Sequence, residues 1–190
     1  ELTVTVDCIQ SSNVLTWSNN ESVCTPDVKN YMVYYKAPQS DIFELLSTTT
    51  DKTFTHSNLT TIAGCYKVVA VDSAGNQSMP NDSVCVNTNA CTNYLYHLPS
   101  VFTPNGDDRN ELFTPYYPYT SVEKIDIHIF NRWGKVVFST QDPDIKWDGK
   151  LLGTNQMVPD GVYYYVCDVY EITLNGTNMR TLKGSITIIR

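Results

Sequence analysis

Alternation of apolar and polar residues with a period of two runs along most of this chain, and it restricts the fold more than any other feature. Side chains of a strand point alternately to its two faces, so the pattern is typical of half-buried β-strands. We find no helix of three turns. In the first half the pattern occurs in seven short segments between turns rich in Asn, Ser, Pro and Gly: residues 2–8, 14–17, 31–35, 43–45, 54–56, 66–70 and 84–86. Such a series predicts a sandwich of two antiparallel sheets.

The second half continues the pattern in a hairpin and two further strands. The expected elements are strands at residues 125–129, 136–138, 162–171 and 182–189, with turns at residues 131–134 and 175–176. Gly134 can take the positive φ that a tight turn requires. We therefore predict an all-β fold of two antiparallel β-sandwich domains in tandem, over residues 1–90 and 91–190.

Composition excludes several classes of function. The 190 residues carry a net charge of −7 with no local run of Lys or Arg, so binding to nucleic acid or to an anionic membrane surface is not expected. Apolar runs are far shorter than the roughly 20 residues that span a bilayer. Residues 1–15 lack the pattern of a signal peptide, so we expect any such peptide to lie outside this sequence or to have been removed.

The cysteines indicate an oxidising compartment. There are six cysteines and only three histidines, and no C-x-x-C pair, so disulfides are favoured over a zinc site. Disulfides persist in exported proteins. The sequence alone leaves all fifteen pairings of six cysteines open.

Residues 1–88 resemble a fibronectin type III domain. The resemblance rests on Asn58-Leu59 and on the stretch from Cys65 to Asn76, CYKVVAVDSAGN. Trp17 in the second strand suits core filling, and Tyr66 at the start of the sixth suits a hydrogen bond at a strand corner. The resemblance implies a spacer or an adhesion module, and the fold alone does not decide between them.

A sandwich of this kind suggests one set of disulfide pairs. The first and last strands can come close, which pairs Cys8 with Cys85. Cys24 and Cys65 would then join the loop after the second strand to the sixth strand, and Cys91 and Cys167 would anchor the join to the second domain. The alternative for Cys167, which lies within an aromatic strand, is a small buried hydrophobic side chain.

The second half contains several separate motifs, and their residues are Pro104, Asn105, Gly106, Asp107, Asn110, Asn131, Arg132, Trp133, Gly134, Trp147, Asp148, Gly149, Asp160, Gly161 and Tyr163. By these motifs and their order, residues 91–190 are similar to the gliding-motility-associated C-terminal domain, the type B sorting domain of the bacteroidete type IX secretion system. The similarity implies an Ig-like domain. Asp108 is a departure, since the family pattern usually has Gly there.

This resemblance implies export and no catalysis. Proteins with this domain pass through the periplasm and cross the outer membrane by the type IX translocon. For type B domains the family implies an outer-membrane partner of the PorP/SprF family that binds the domain and retains the passenger at the cell surface. Many passengers are large adhesins, including those that act in gliding. The chain would then be the C-terminal part of such a protein, with residues 1–90 as spacer.

The last strand is the expected place of recognition. We expect residues 181–190 to offer an unpaired strand edge to which a partner adds a strand. The residues expected to take part in sorting or partner binding are Lys183, Gly184, Ile186, Ile188, Ile189 and Arg190. The alternative for Ile186 and Ile188 is core filling.

The loop that begins the second domain gathers oxygen ligands. Asn105, Asp107, Asn110 and Glu111 could together hold Ca²⁺, which takes 6–8 oxygen ligands. The spacing is not that of an EF-hand. The alternative is a loop ordered by Asx turns, with no cation.

Two other functions stay open. Trp133 and Trp147, together with the tyrosines near them, suggest an adhesion or glycan-binding module, although aromatic residues on strands more often fill a core. The chain could also be an accessory module of a secreted polysaccharide-degrading enzyme. No motif of a catalytic triad or a zinc hydrolase accompanies the histidines, so we expect no catalysis here.

Overall fold

The computed structural model describes residues 1–18, 27–80 and 82–190. It contains two compact units: Glu1–Asn93 with Ile172–Gly176, and Tyr94–Glu171 with Thr177–Arg190. The only helical element of these residues is a 3₁₀ helix over Thr88–Tyr94, which is kinked at Cys91. The predicted all-β fold of two sandwich domains is confirmed.

The first unit is a sandwich of two antiparallel sheets. Its seven strands are β1 (Leu2–Asp7), β2 (Ser12–Trp17), β3 (Val28–Lys36), β4 (Glu44–Thr49), β5 (Thr53–His56), β6 (Gly64–Asp72) and β7 (Val84–Val86). One sheet has the order β1-β2-β5 and the other the order β4-β3-β6-β7. Each of the seven segments predicted from alternation is a strand.

Alternate residues of these strands fill the first core. The buried cluster consists of Leu2, Leu15, Trp17, Tyr31, Val33, Tyr66 and Val68. The ring of Trp17 meets that of Tyr31 edge to face at 5.5 Å between centroids. Trp17 therefore fills the core as its place in the second strand predicted.

The hydroxyl of Tyr66 joins the two sheets of this unit through a chain of hydrogen bonds. Tyr66 is fully buried. The side-chain amide of Asn13 donates to the Tyr66 hydroxyl at 2.9 Å. That hydroxyl also lies 2.9 Å from Nδ1 of His56, and the tautomer of the imidazole decides which of the two is the donor. The expected hydrogen bond of Tyr66 is present.

The disulfides differ from the predicted pairs. Cys65 and Cys85 are bonded, because they lie directly opposite each other on β6 and β7 with Cα atoms 4.0 Å apart. Cys8 is bonded to Cys91 of the 3₁₀ helix, with Cα atoms 5.7 Å apart. The predicted Cys8–Cys85 pair is therefore wrong, although β1 does lie near β7.

The other two predicted pairs fail for the same reason. Cys65 already has a partner, so the Cys24–Cys65 pair is wrong, and Cys24 itself lies outside the described residues. Cys91 also has a partner, so the Cys91–Cys167 pair is wrong. Cys167 is a free and fully buried thiol, and burial raises its pKa to about 12. It is the small hydrophobic core residue of the alternative interpretation.

The second unit is built on one five-stranded sheet. Its strands are β8 (Val101–Phe102), β9 (Val122–Phe130), β10 (Val136–Thr140), β11 (Gly161–Thr173) and β12 (Gly176–Ile188), in the order β10-β9-β11-β12-β8. The facing layer consists of the connecting segments, which contain the isolated bridges Phe113 to Trp147 and Lys150 to Met157. β8 pairs with β12 in parallel, through Val101 with Thr187 and Phe102 with Ile188.

The core of the second unit lies between the sheet and these segments. Ile125, Ile127 and Ile129 of β9 point inward and are fully buried. Trp147 of the facing layer is also buried, and its ring packs against Phe102 and Tyr163 at 5.4 and 5.8 Å between centroids. The alternation in β9 therefore fixes which face of the sheet is covered.

Burial of His56 makes the stability of the first unit depend on pH. Burial lowers the pKa of His56 below its ordinary value near 6.5. The unfolded chain therefore binds this proton more readily than the folded one. The contribution of His56 to stability is complete above pH 6.5 and is lost as the pH falls through the lower pKa that His56 has in the folded state.

We expect the free energy of unfolding of the first unit to decrease between pH 7.5 and pH 5.5. The control is His56→Gln, whose amide oxygen can still accept from Tyr66 but does not titrate, and whose stability should vary less over this range. Urea unfolding at both pH values measures the difference. An equal decrease in the variant would contradict the role given to His56.

Candidate functional site

The turn between β9 and β10 is held by the side chain of Asn131. Its Oδ1 accepts hydrogen bonds from the backbone N–H groups of Trp133 and Lys135, both at 3.0 Å. The N–H of Gly134 donates to the carbonyl of Asn131 at 2.9 Å, and Gly134 has a φ of 79°. A residue with a Cβ would be strained at this φ, which explains the glycine. The turn presents Trp133 outward.

Trp133 is the most exposed aromatic residue among the described large hydrophobic side chains, at 79%. The guanidinium of Arg132 lies 5.0 Å from the centre of its ring, close enough for a cation–π contact. The ion pairs of the described residues include neither Arg132 nor Lys135. The turn therefore presents a large aromatic ring and two cations to solvent.

A cavity of about 230 Å³ opens beside this turn, and we name it the Trp133 pocket. Its wall is formed by the turn, by the segment before β11 and by the start of β11. The lining residues are Asn131, Arg132, Trp133, Lys135, Val137, Leu151, Gln156, Met157, Val158, Pro159, Asp160, Gly161, Val162 and Tyr163. Two family motifs of the sequence therefore meet in this pocket, the one at 131–134 and the one at 160–163.

Tyr163 forms the inner part of the pocket wall. It is 5% exposed, and its hydroxyl donates to the carbonyl of Pro159 at 2.7 Å. Burial raises the pKa of this hydroxyl, although the nearby cations Arg190 and Arg132 oppose the shift. Tyr163 therefore stays protonated and holds the segment before β11 in place.

Arg190 ties the end of the last strand to the same wall. Its guanidinium pairs with the carboxylate of Asp160 and donates to the carbonyl of Val158 at 3.0 Å. Its backbone N–H donates to the other oxygen of Asp160 at 3.3 Å. A Cβ at Gly149 would lie 3.1 Å from Nη2 of Arg190, so the glycine of this motif makes room for the guanidinium.

The other residues expected to sort the protein are divided between core and surface. Ile186 and Ile188 are buried in the core of the second unit, as the alternative interpretation held. Ile189 is half exposed and Lys183 is exposed. Position 184 favours glycine because a Cβ there would lie 2.7 Å from the hydroxyl oxygen of Tyr165.

The outer edge of the last strand is covered near its end. β12 is thirteen residues long, and the two-residue β8 pairs with it at Thr187 and Ile188. The N–H of Thr187 also donates to the carbonyl of Ser100 at 2.8 Å, and that of Ile189 to the carbonyl of Phe102 at 3.4 Å. Residues 187–189 therefore already have a partner strand, whereas strand addition along 181–186 stays a prediction. β8 is too short to show a period in the sequence.

The loop predicted to hold calcium is closed by its own hydrogen bonds. Oε1 of Glu111 accepts from the N–H groups of Gly106 and Asp107, at 2.7 and 2.8 Å. Asp107 accepts from the N–H of Arg109, and Asn105 accepts from the N–H of Asp107. These are the Asx turns of the alternative interpretation.

The described residues contain no group of three or more His, Cys, Asp or Glu side chains placed to hold a metal ion. Calcium binding through Asn105, Asp107, Asn110 and Glu111 stays a prediction. Asp108 has a φ of 63°, a conformation that Asp tolerates better than most residues, so it can stand where the family usually has Gly.

The two tryptophans of the second unit have different roles. Trp147 is 1% exposed, and its indole N–H donates to the carbonyl of Lys150 at 2.8 Å, so it belongs to the core and offers no surface for a sugar. Asp148 accepts from the backbone N–H of Lys150 at 3.1 Å, which forms the turn of this motif. Trp133 alone of the pair is available for recognition.

Three residues that line the Trp133 pocket were not predicted from the sequence. They are Met157, Val158 and Leu151, which belong to an irregular segment with no periodic pattern. No signal in the sequence relates them to the turn at Trp133. The Pro-Asp-Gly motif at 159–161 also lines the pocket, but in the sequence it indicated only a turn.

A known family model matches most of the second unit. The model described as "CHU_C Type IX secretion signal domain" matches residues 96–188. No curated protein sequence matches the chain. The chain lacks, within the described residues, any helix with the length and apolar character needed to cross a membrane.

Several solved structures are similar to this chain at low identity. A two-domain fibronectin type III segment of chicken tenascin has 16% identity and a TM-score of 0.43, covering 98% of this chain and 97% of its own. The chicken CNTN1 FN1–FN3 domains have 12% identity and a TM-score of 0.38, covering 100% and 65%. A tetra-tandem repeat from the extending region of a large adhesion protein has 15% identity and a TM-score of 0.33, and the match covers 98% of this chain and 49% of that one.

The contacts of Arg190 generate a test of the pocket wall. We expect Arg190→Ala and Asp160→Asn each to lower the free energy of unfolding by about 1 kcal/mol or less, because the pair is partly exposed. The two effects should not add in the double variant, since both remove the same contact. Lys183→Ala, which removes an exposed cation from the same strand, is the control and should have no effect. Chemical denaturation measures all four variants, and additive losses would contradict the contact.

Proposed function

We propose, from the membership of residues 96–188 in the CHU_C type IX secretion signal domain family, that this chain is the export and tethering module of a surface protein. A signal of this family directs export through the type IX secretion system and association with the cell surface. Residues 91–190 act as the sorting domain, and residues 1–90 act as a spacer of fibronectin type III type.

The partner proposed for the sorting domain is an outer-membrane protein of the PorP/SprF family. This protein would bind the folded domain after it enters the periplasm and retain the passenger at the surface. The presence of two family motifs in the lining of the Trp133 pocket supports recognition at that place, because exposed aromatic and arginine side chains are among the residues that most often dominate protein interfaces.

The passenger proposed is a large adhesin, with gliding as one of its uses. Disulfides in the spacer suit a protein that matures in an oxidising compartment. The bond between Cys8 and Cys91 joins the first strand to the segment that leads into the sorting domain. A spacer closed in this way resists unfolding during transport and under load at the surface.

We propose no catalysis for this chain. His56 is bonded to Tyr66, His97 stacks on Tyr116, and His128 lies 3.4 Å from Asp126 on the outer face of β9. None of these pairs is joined to a nucleophile in a way that resembles a catalytic triad.

A secretion assay tests the proposed function. Residues 1–190 would follow a signal peptide and a fluorescent reporter in a gliding bacteroidete, with or without a co-expressed PorP/SprF-family protein. We expect reporter at the cell surface only when that protein is present. The matched control ends at residue 93, which keeps both disulfides of the spacer but lacks the sorting domain, and it should stay in the periplasm. Equal surface display of the two fusions would contradict the proposal.

A further inference from the structure

The polar groups in the wall of the Trp133 pocket are largely committed to the wall itself. Oδ1 of Asn131 accepts the two backbone N–H groups of the turn. The carboxylate of Asp160 is paired with Arg190, and the hydroxyl of Tyr163 donates to Pro159. A ligand in the pocket would therefore find few free hydrogen-bond acceptors.

The surface that remains is apolar and carries two cations. Met157 and Val162 are 41% and 48% exposed at the pocket, although both are apolar. Val137 and Leu151 continue this lining inward. Arg132 and Lys135 stand beside it with no carboxylate partner among the ion pairs of the described residues. This is a positive site on a chain whose net charge is −7.

Trp133 adds an anchor at the edge of this surface. Tryptophan and arginine are the commonest residues at which a single truncation strongly weakens an interface. The two hydrogen bonds that Oδ1 of Asn131 accepts fix the backbone of the turn before any partner arrives, so little backbone conformational entropy is lost on binding. The combination favours a protein surface as occupant.

We propose that the Trp133 pocket binds a segment of the outer-membrane partner in which an apolar side chain lies next to a carboxylate. The apolar side chain fills the cavity of about 230 Å³ against Met157 and Val162, and the carboxylate pairs with Arg132 and Lys135. The inference rests on the proposed function and names the chemistry of its recognition site. Charge complementarity selects the carboxylate, and the apolar lining selects its neighbour.

A sugar ring fits this pocket less well. Each hydroxyl of a pyranose needs a hydrogen-bond partner when it is buried, and an unpaired one weakens binding. Oδ1 of Asn131 and the carboxylate of Asp160 are already bonded to Trp133, Lys135 and Arg190, which leaves the exposed side-chain amide of Gln156 as the main polar partner for such a ring. An exposed tryptophan alone does not supply these bonds.

The test measures binding of the whole chain to the partner in lipid nanodiscs by biolayer interferometry. We expect Trp133→Ala to weaken binding about tenfold or more, the effect of a typical hot-spot residue. The double variant Arg132→Glu with Lys135→Glu should weaken it further, whereas Arg132→Lys with Lys135→Arg should retain most of it. Binding of the unchanged chain should also decrease in 0.5 M NaCl, because salt screens the charge pairs.

Matched controls separate recognition from folding. Met179→Ala removes another apolar side chain that is half exposed, and Lys124→Glu reverses another cation on the same sheet, and neither should change binding. Trp133 and the two cations lie on the surface, so the midpoint of thermal unfolding should stay the same in every variant. The same variants in the secretion assay should lower surface display in the same order.

The outcomes distinguish the inference from the proposed function. If the unchanged chain neither binds the nanodiscs nor reaches the surface, the proposed function fails. If the unchanged chain binds and is exported but the pocket variants match it, the inference is overturned and the function stands. Displacement of the chain from the partner by cellohexaose or mannohexaose at millimolar concentration would identify the pocket as a sugar site and would also overturn the inference.

Discussion

Burial of one face of β9 is the constraint on which the second unit depends. Ile125, Ile127 and Ile129 are fully buried beneath the facing layer that contains Trp147. Because side chains alternate along a strand, a shift of one residue would expose all three, so this burial fixes the register of the sheet. The strand then ends at Phe130, and the Asn131 turn follows at a determined place. The outward position of Trp133 is thus a consequence of the core.

The same core also places the end of the last strand against the wall of the pocket. Ile188 is buried and pairs with Phe102, which brings Arg190 to Asp160 and to the space left by Gly149. Residues that the sequence separates by dozens of positions therefore form one wall. The last strand therefore supports the wall at which we propose recognition.

Alternation was sufficient to predict every strand of the first unit and the hairpin of the second. It was not sufficient for features that depend on register or on irregular segments. The partner of Cys65 is set by the register in which β6 pairs with β7, and the sequence does not reveal that register. β8 is too short to show a period, so its pairing with the end of β12 was not predicted. Trp133 and Trp147 have the same side chain, and alternation alone does not show that Trp133 lies outside and Trp147 in the core.

Site-specific photo-crosslinking in cells tests the central claim most directly. A benzoylphenylalanine side chain would replace Trp133, Ile189 or Met179, each in the full chain within its surface protein, in cells that contain the PorP/SprF-family partner. All three positions are at least half exposed, so each can reach a neighbour without unfolding. We expect a crosslink to the partner from position 133 and none from position 179. A crosslink from position 189 with none from 133 would contradict the account and place recognition at the last strand.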